Sequence, residues 1–207
     1  MTQSPTSLPK AIIFDLGGVI VDVDFARVFS AWAASANIDA DLLYRKFEAD
    51  TVYQRHERGE ISAAQFFEHQ REQYSLALSD AQFLDGWNAI FGTEIAGIEP
   101  LIRRAVSIAP CYVFSNTNAA HQAYWEPMLA DTLKHFERIF VSNQIGERKP
   151  DASAFLTVCK EIGVTPDEAL FFDDTQENLD GAQAVGLPAV KVTGIEDVER
   201  TLNSLGG

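Results

Sequence analysis

Two carboxylates side by side at the end of an apolar run are costly to bury unless a cation meets them. Asp173 and Asp174 close the run Ala169-Leu-Phe-Phe in this way. Magnesium takes one or two carboxylates together with waters and phosphate oxygens, so the pair suits a magnesium site; an acidic N-cap for the following helix is the plainer alternative. Asp15 closes another apolar run, Ala11-Ile-Ile-Phe, and is followed by Gly17-Gly18. The glycines let backbone N–H groups approach an anion, although an acid at a strand end beside a turn reads equally well alone. Ser115-Asn116-Thr117-Asn118 ends a third run and opens a helix, offering a hydroxyl and a helix N-terminus to a phosphate oxygen, or merely an N-cap. In Arg148-Lys149-Pro150 the lysine sits in extended backbone ahead of a helix, where it can act as a point charge for phosphate or lie solvated on the surface. In chain order these are a nucleophile, a hydroxyl donor, a lysine and a metal-binding acid pair.

The elements that must position them form an α/β pattern. Apolar runs at Ala11–Asp15, Cys111–Ser115, Arg138–Val141, Ala169–Asp173 and Pro188–Val192 read as strands buried on both faces. Helices are expected at Pro100–Ala109, at Asp151–Ile162 with a capping Asp151 and a stop at Gly163, and at Glu177–Val185 before Gly186. The alternation predicts a doubly wound, Rossmann-like parallel sheet, with ligands held beyond the carboxyl ends of its strands. Residues 22–96 show no convincing strand. They carry Phe25, Val28, Phe29 and Trp32, then Phe66 and Phe67, then Phe83, Leu84 and Trp87 at helical spacing. The expected organisation is a core of residues 1–21 and 97–207 with a helical cap, residues 22–96, over the ligand crevice. Met1–Lys10 reads as a loose N-terminal extension and not as a signal peptide.

The 207 residues carry a formal charge of -14, which repels nucleic acid and anionic lipid. A phosphate ester would be repelled too, so its site must supply its own positive field from a metal, a lysine or helix N-termini. Cys111 and Cys159 fit no metal or redox spacing, and a reducing, cytoplasmic setting is expected. The apolar runs are too short to span a membrane, and a monomer is the default.

On these residues the chain resembles the haloacid dehalogenase superfamily from Ala11 to about Thr193. The carriers are Phe14-Asp-Leu-Gly-Gly-Val-Ile-Val-Asp22, Asp24-Phe25, Arg27-Val28, His56-Glu-Arg-Gly-Glu-Ile-Ser62, Ser115-Asn-Thr-Asn118, Arg148-Lys-Pro150, and Phe171-Phe-Asp-Asp174 with Asn178. More narrowly it is similar to the bacterial α-D-glucose-1-phosphate phosphatase branch. The resemblance implies that Asp15 attacks phosphorus and forms an aspartyl-phosphate that water hydrolyses. It implies a magnesium ion held by Asp15, the Gly17 carbonyl and Asp174, with Asp173 supporting from the inner or second shell. Ser115, the Asn116 backbone and Lys149 would hold the transferring phosphoryl group of a small phosphorylated metabolite. A sugar phosphate such as α-D-glucose 1-phosphate is the branch-level expectation, with other hexose phosphates, nucleotides and flavin phosphate as alternatives.

One departure stands out. Most phosphatases of the superfamily carry a second Asp as general acid and base where this chain has Gly17, although the glucose-1-phosphate branch also has glycine there. A substrate with a good leaving group, such as an anomeric hydroxyl, would need less protonation, and rates would then depend steeply on leaving-group pKa. Asp22 and Asp24 are candidates for a substitute acid, against a plainer reading as cap-surface or helix-capping residues. Two rival functions remain: a metal-independent dehalogenase, which the acid pair argues against, and a non-catalytic phosphometabolite-binding member, which retention of Asp15, Lys149 and Asp174 argues against.

His56-Glu57-Arg58-Gly59-Glu60 either faces the substrate or forms a solvated turn, with Ser62 as a helix cap. Trp32, Trp87 and Phe91 are expected in the cap core, and His69, His121 and His135 at surface or structural positions.

Overall fold

The structure, a computed structural model, describes residues 8–47 and 49–206, so the first seven residues of the expected N-terminal extension lie outside it. Five parallel strands make the central sheet: β1 (Ala11–Phe14), β4 (Cys111–Ser115), β5 (Arg138–Val141), β6 (Ala169–Asp173) and β7 (Ala189–Lys191), in the order β5-β4-β1-β6-β7. Ile12 in β1 is paired with Cys111 on one side and Leu170 on the other. The chain moves outward from β1 through β4 to β5, then crosses back to β6. The crevice at the carboxyl ends of β1, β4 and β6 is therefore a topological switch point.

Alternation along each strand feeds two cores. Ile12, Phe14, Val113 and Phe172 point to one face. There they meet Ile98 and Ile102 of α6 (Ile98–Val106), Trp125 of α7 (Ala119–Met128) and Val198 and Leu202 of α12 (Ile195–Ser204). Ile13, Phe114 and Phe171 point to the other, against Phe155 and Val158 of α10 (Ala152–Ile162) and Leu179 of α11 (Gln176–Ala184). Two short helices, α8 (Ala130–Leu133) and α9 (Ser142–Ile145), flank β5. This is the doubly wound α/β fold expected. α10 ends at Gly163 in the left-handed conformation, as read from the sequence. Asp151 does occupy its N-cap position, but its side chain makes no capping bond and pairs instead with Arg58 at 2.8 Å.

A third core lies in α1 (Phe25–Ala36), α2 (Ala40–Tyr44), α3 (Thr51–Glu57), α4 (Ala63–Tyr74) and α5 (Asp80–Asn88). Trp32 and Trp87 are fully enclosed there, and Trp32 donates its indole N–H to the Phe83 carbonyl at 3.0 Å. Large apolar side chains buried in this way contribute about 1.5–3 kcal/mol each. Gly86 makes the α1–α5 approach possible, since a Cβ there would lie 2.2 Å from the Trp32 ring. Ser62 caps α4 through a capping box with Gln65, as expected. Asp24 caps α1 and Asp22 pairs with Arg27 at 2.7 Å, so both acids have the plainer role.

Residues 22–96 do contain strand, contrary to expectation. β2 (Val21–Val23) pairs antiparallel with β3 (Phe91–Glu94), matching Val21 to Glu94 and Val23 to Phe91. The ribbon lies where the chain leaves the sheet for the helices and where it returns. Each half is too short, at three and four residues, for a period-two pattern to stand out, and its partner is far along the chain. Gly92 leaves room for the Asp22 carboxylate, which would lie 2.2 Å from a Cβ at that position. Among the described residues no helix is long and apolar enough to cross a membrane.

Candidate functional site

Lys149 is the centre of the site. It is completely buried, and its ammonium lies 2.8 Å from Asp15 Oδ1 and 2.7 Å from Asp173 Oδ2. A buried lysine needs such partners to keep its charge. Burial opposes that charge, but Asp15 and Asp173 outweigh it and hold the Lys149 pKa above its ordinary value.

The loop carrying Lys149 is fixed by Asn116, at the end of β4. The Asn116 amide donates to the Lys149 carbonyl at 2.8 Å and accepts from the Lys149 N–H at 2.9 Å. Ser142 orders the same turn, accepting from the Thr117 N–H at 2.8 Å and donating to its carbonyl at 2.9 Å. From the far side α11 presses in at Gly181, where a Cβ would sit 2.3 Å from the Pro150 carbonyl. The helix after β4 begins at Ala119 with Asn118 as its cap, so Ser115, the last residue of β4, and Asn116, just beyond it, both stand ahead of the helix.

The three acids divide the work. Asp173 has no exposure, and its carboxylate accepts from Lys149, from the Thr175 N–H at 2.8 Å and from Asn178 at 3.1 Å on each oxygen. Asp15 and Asp174 face the cavity instead. Ligand atoms of all three lie within 4.8 Å of one another. Burial pushes the Asp15 carboxyl up to about 8, with Lys149 pulling it down and Asp173 and Asp174 pushing it further up. Burial, aided by Asp173, also raises Asp174. Three carboxylates against one ammonium leave two negative charges unmatched if all ionise. That oxygen-rich, over-negative cluster fits a hard divalent cation. Gly18 keeps it open, with φ +71 and a Cβ position only 2.2 Å from Asp174 Oδ2. Gly17 lies against Val23, whose methyl carbons would be 3.3 and 3.4 Å from a Cβ at that position.

The cavity above these groups holds about 370 Å³, a volume suited to a small ligand. Asp15, Gly17, Ser115, Asn116, Lys149 and Asp174 all line it, and Asp173 stands behind Lys149. Its upper wall includes Tyr53, Glu57, Phe91 and His121. Phe91 is a ribbon residue that lines the cavity and also packs, partly buried, against the helical core as expected. His121 is buried and stacks on Trp87 with ring centroids 4.6 Å apart. Burial lowers its pKa to about 3, so it is neutral. His69 and His135 pair with Asp50 and Glu99. The segment beginning at His56 divides between the two readings, since Gly59, at φ +70, and Glu60 are exposed at a turn while Glu57 lines the cavity. His56 and Glu57 are buried, and Glu57 pairs with Arg148 at 2.7 Å, one residue before the buried lysine. Nothing in the sequence separated this buried pair from ordinary surface charges.

A family model described as haloacid dehalogenase-like hydrolase matches residues 9–186. The D-ribitol-5-phosphate phosphatase of Bacteroides thetaiotaomicron is 26% identical over 185 residues, covering 86% of this chain and 88% of that protein. Phosphoglycolate phosphatase 1 of Pseudomonas aeruginosa is 26% identical over 200 residues, covering 91% of this chain and 71% of that protein. Among solved structures, a haloacid dehalogenase-family enzyme from Bacteroides thetaiotaomicron in complex with magnesium and inorganic phosphate superposes with a TM-score of 0.77 at 25% identity, covering 90% of this chain and 95% of that one.

Proposed function

This chain belongs to the haloacid dehalogenase-like hydrolase family, and we propose that it is a magnesium-dependent phosphatase acting on a small phosphorylated metabolite through Asp15. The observation that carries the proposal is the buried Lys149 bridging Asp15 and Asp173, beside Asp174, at the floor of the cavity. Asp15 attacks phosphorus and forms an aspartyl-phosphate, which water then hydrolyses. Lys149, the Ser115 hydroxyl and the Asn116 N–H hold the phosphoryl oxygens, so that catalysis is mainly positioning and charge stabilisation. Asp15, Asp174 and the Gly17 carbonyl would hold magnesium, while Asp173 keeps Lys149 in place. Magnesium, when bound, supplies the charge that offsets the clustered carboxylates and the transferring phosphoryl group. The excess of negative charge counts against a metal-free dehalogenase. Helices α1–α5 act as a cap over the cavity, with Tyr53 and Glu57 of α3 on the wall that faces the leaving group.

A sugar or polyol phosphate is the favoured substrate class. The motif residues favour α-D-glucose 1-phosphate, and the ribitol-5-phosphate phosphatase adds a second ester with a neutral, hydroxylated leaving group. The test is phosphate release from a panel of sugar phosphates, phosphoglycolate and nucleotides, with magnesium, with chelator, and with Asp15→Asn protein. Magnesium-dependent release that the substitution abolishes supports the proposal; no release from any ester defeats it.

A further inference from the structure

Beyond its floor the cavity has an unusual charge arrangement. The cations that line it are Lys149, bonded to Asp15 and Asp173, and Arg148, bonded through Nε to Glu57 at 2.7 Å. Both members of the upper pair are largely enclosed, with side-chain exposures of 16% for Arg148 and 6% for Glu57. The Tyr53 hydroxyl faces the same carboxylate. The pair is held from both sides. Arg58 binds Asp151 at 2.8 Å, and Gly59, at φ +70, lies so close to α9 that a Cβ would be 2.3 Å from the Asn143 carbonyl. The other titratable groups on the upper wall add no positive charge, since His121 is neutral and Glu177 is an acid.

The arrangement offers donors and acceptors without net charge. Arg148 Nε is engaged, and among the described residues its two Nη atoms have no hydrogen-bond partner. Glu57 and Tyr53 supply acceptors and a hydroxyl. A hydroxyl-bearing chain can bond to all of these. A carboxylate on the substrate would meet no unpaired cation and would lie near Glu57 and Glu177, so its lost hydration would not be replaced.

We propose that the Glu57–Arg148 ion pair sets specificity, selecting a phosphate ester whose leaving group is neutral and hydroxylated over one that carries a carboxylate. The inference rests on the phosphatase reading but is testable by binding alone. Asp15→Asn protein with magnesium would be titrated calorimetrically with two matched pairs of esters. One pair is D-ribitol 5-phosphate and D-ribonate 5-phosphate; the other is α-D-glucose 1-phosphate and α-D-glucuronate 1-phosphate. With the pair intact, the neutral member of at least one couple binds about 10-fold or more tightly than its acid. Glu57→Gln frees the guanidinium and shifts that ratio toward the acid by roughly 10- to 100-fold, the range of a charge-assisted hydrogen bond. Arg148→Gln shifts it the other way. Because the ratio is read within each protein, a purely structural loss weakens both esters alike and cancels. An unchanged ratio in both variants, or no binding of any ester with the pair intact, overturns the proposal. Absence of turnover by the unaltered protein, with the binding preferences as expected, would defeat the phosphatase reading and leave the specificity assignment standing.

Discussion

Replacing Asp173 by Asn and Asp174 by Asn should shift stability in opposite directions, although the two carboxylates are neighbours. Asp173 is wholly buried and receives Lys149, Thr175 and Asn178. An Asn there loses the charge opposite Lys149 and turns an NH2 toward groups that already donate. Stripping one partner from a buried ion pair costs about 3–5 kcal/mol, and the low end applies because Lys149 keeps Asp15 at 2.8 Å. Asp174 is only partly buried, and its charge adds to that of Asp173 and Asp15. Its removal should stabilise the metal-free protein by up to about 1 kcal/mol. Urea unfolding without metal reads both effects. Calorimetric magnesium titration separates the roles: Asp173→Asn should weaken binding by roughly 10- to 100-fold, as a residue behind the ligands does, and Asp174→Asn by more. If Asp173→Asn left the metal-free protein as stable as before, or lost magnesium as deeply as Asp174→Asn, the assignment of Asp173 to Lys149 would be refuted.

Three further outcomes follow from the site and its surroundings. Asp15 titrates at about 8 against an ordinary 3.8, so the folded metal-free protein holds an extra proton between those values and loses stability as pH rises through them, by up to about 1.4 kcal/mol per unit; magnesium binding near pH 6.5 should therefore release close to one proton, a release that fades above pH 8 when calorimetry is repeated in buffers of different ionisation enthalpy. His56 and His121 are depressed by burial from 6.5 to about 4 and about 3, so their contribution is complete above pH 6.5 and is lost as pH falls, again by up to about 1.4 kcal/mol per unit for each; His56→Phe, which can stack on Phe66 as the imidazole does at 4.4 Å, should flatten the acid limb of a urea-midpoint profile relative to the unaltered protein. Gly17→Asp, whose Cβ would meet Val23 at 3.3 Å and need that side chain to give by only a few tenths of an ångström, should keep the fold and speed hydrolysis most for esters with poor leaving groups, read as a shallower dependence of rate on leaving-group pKa, with Val23→Ala relieving the contact.

Much of this was legible because parallel strands buried on both faces read as continuous apolar runs. Cys111–Ser115, Arg138–Val141 and Ala169–Asp173 form as expected, and β1 stops one residue earlier, at Phe14. Asp15, Ser115, Lys149 and Asp174 showed themselves as polar residues at or after the ends of such runs, where the topology collects ligands. The β2–β3 ribbon stayed hidden because its pairing is long-range and each half is brief. The Glu57–Arg148 pair stayed hidden for a related reason. A charged residue next to Arg58 and three before Glu60, and another next to Lys149, each look solvated until folding brings them together out of water. His121 likewise shows no local sign that Trp87 will cover it.

The ribbon has a mechanical consequence. The outgoing and returning connections between the sheet and α1–α5 are hydrogen-bonded to each other along β2 and β3 and not left as independent tethers. Two separate linkers would let the helices twist as well as tilt. Two paired strands would act as a single broad hinge, so any opening of α1–α5 over Asp15 would be confined largely to one coordinate. After such an opening the cavity wall would re-form in the same register, bringing Glu57 back to Arg148.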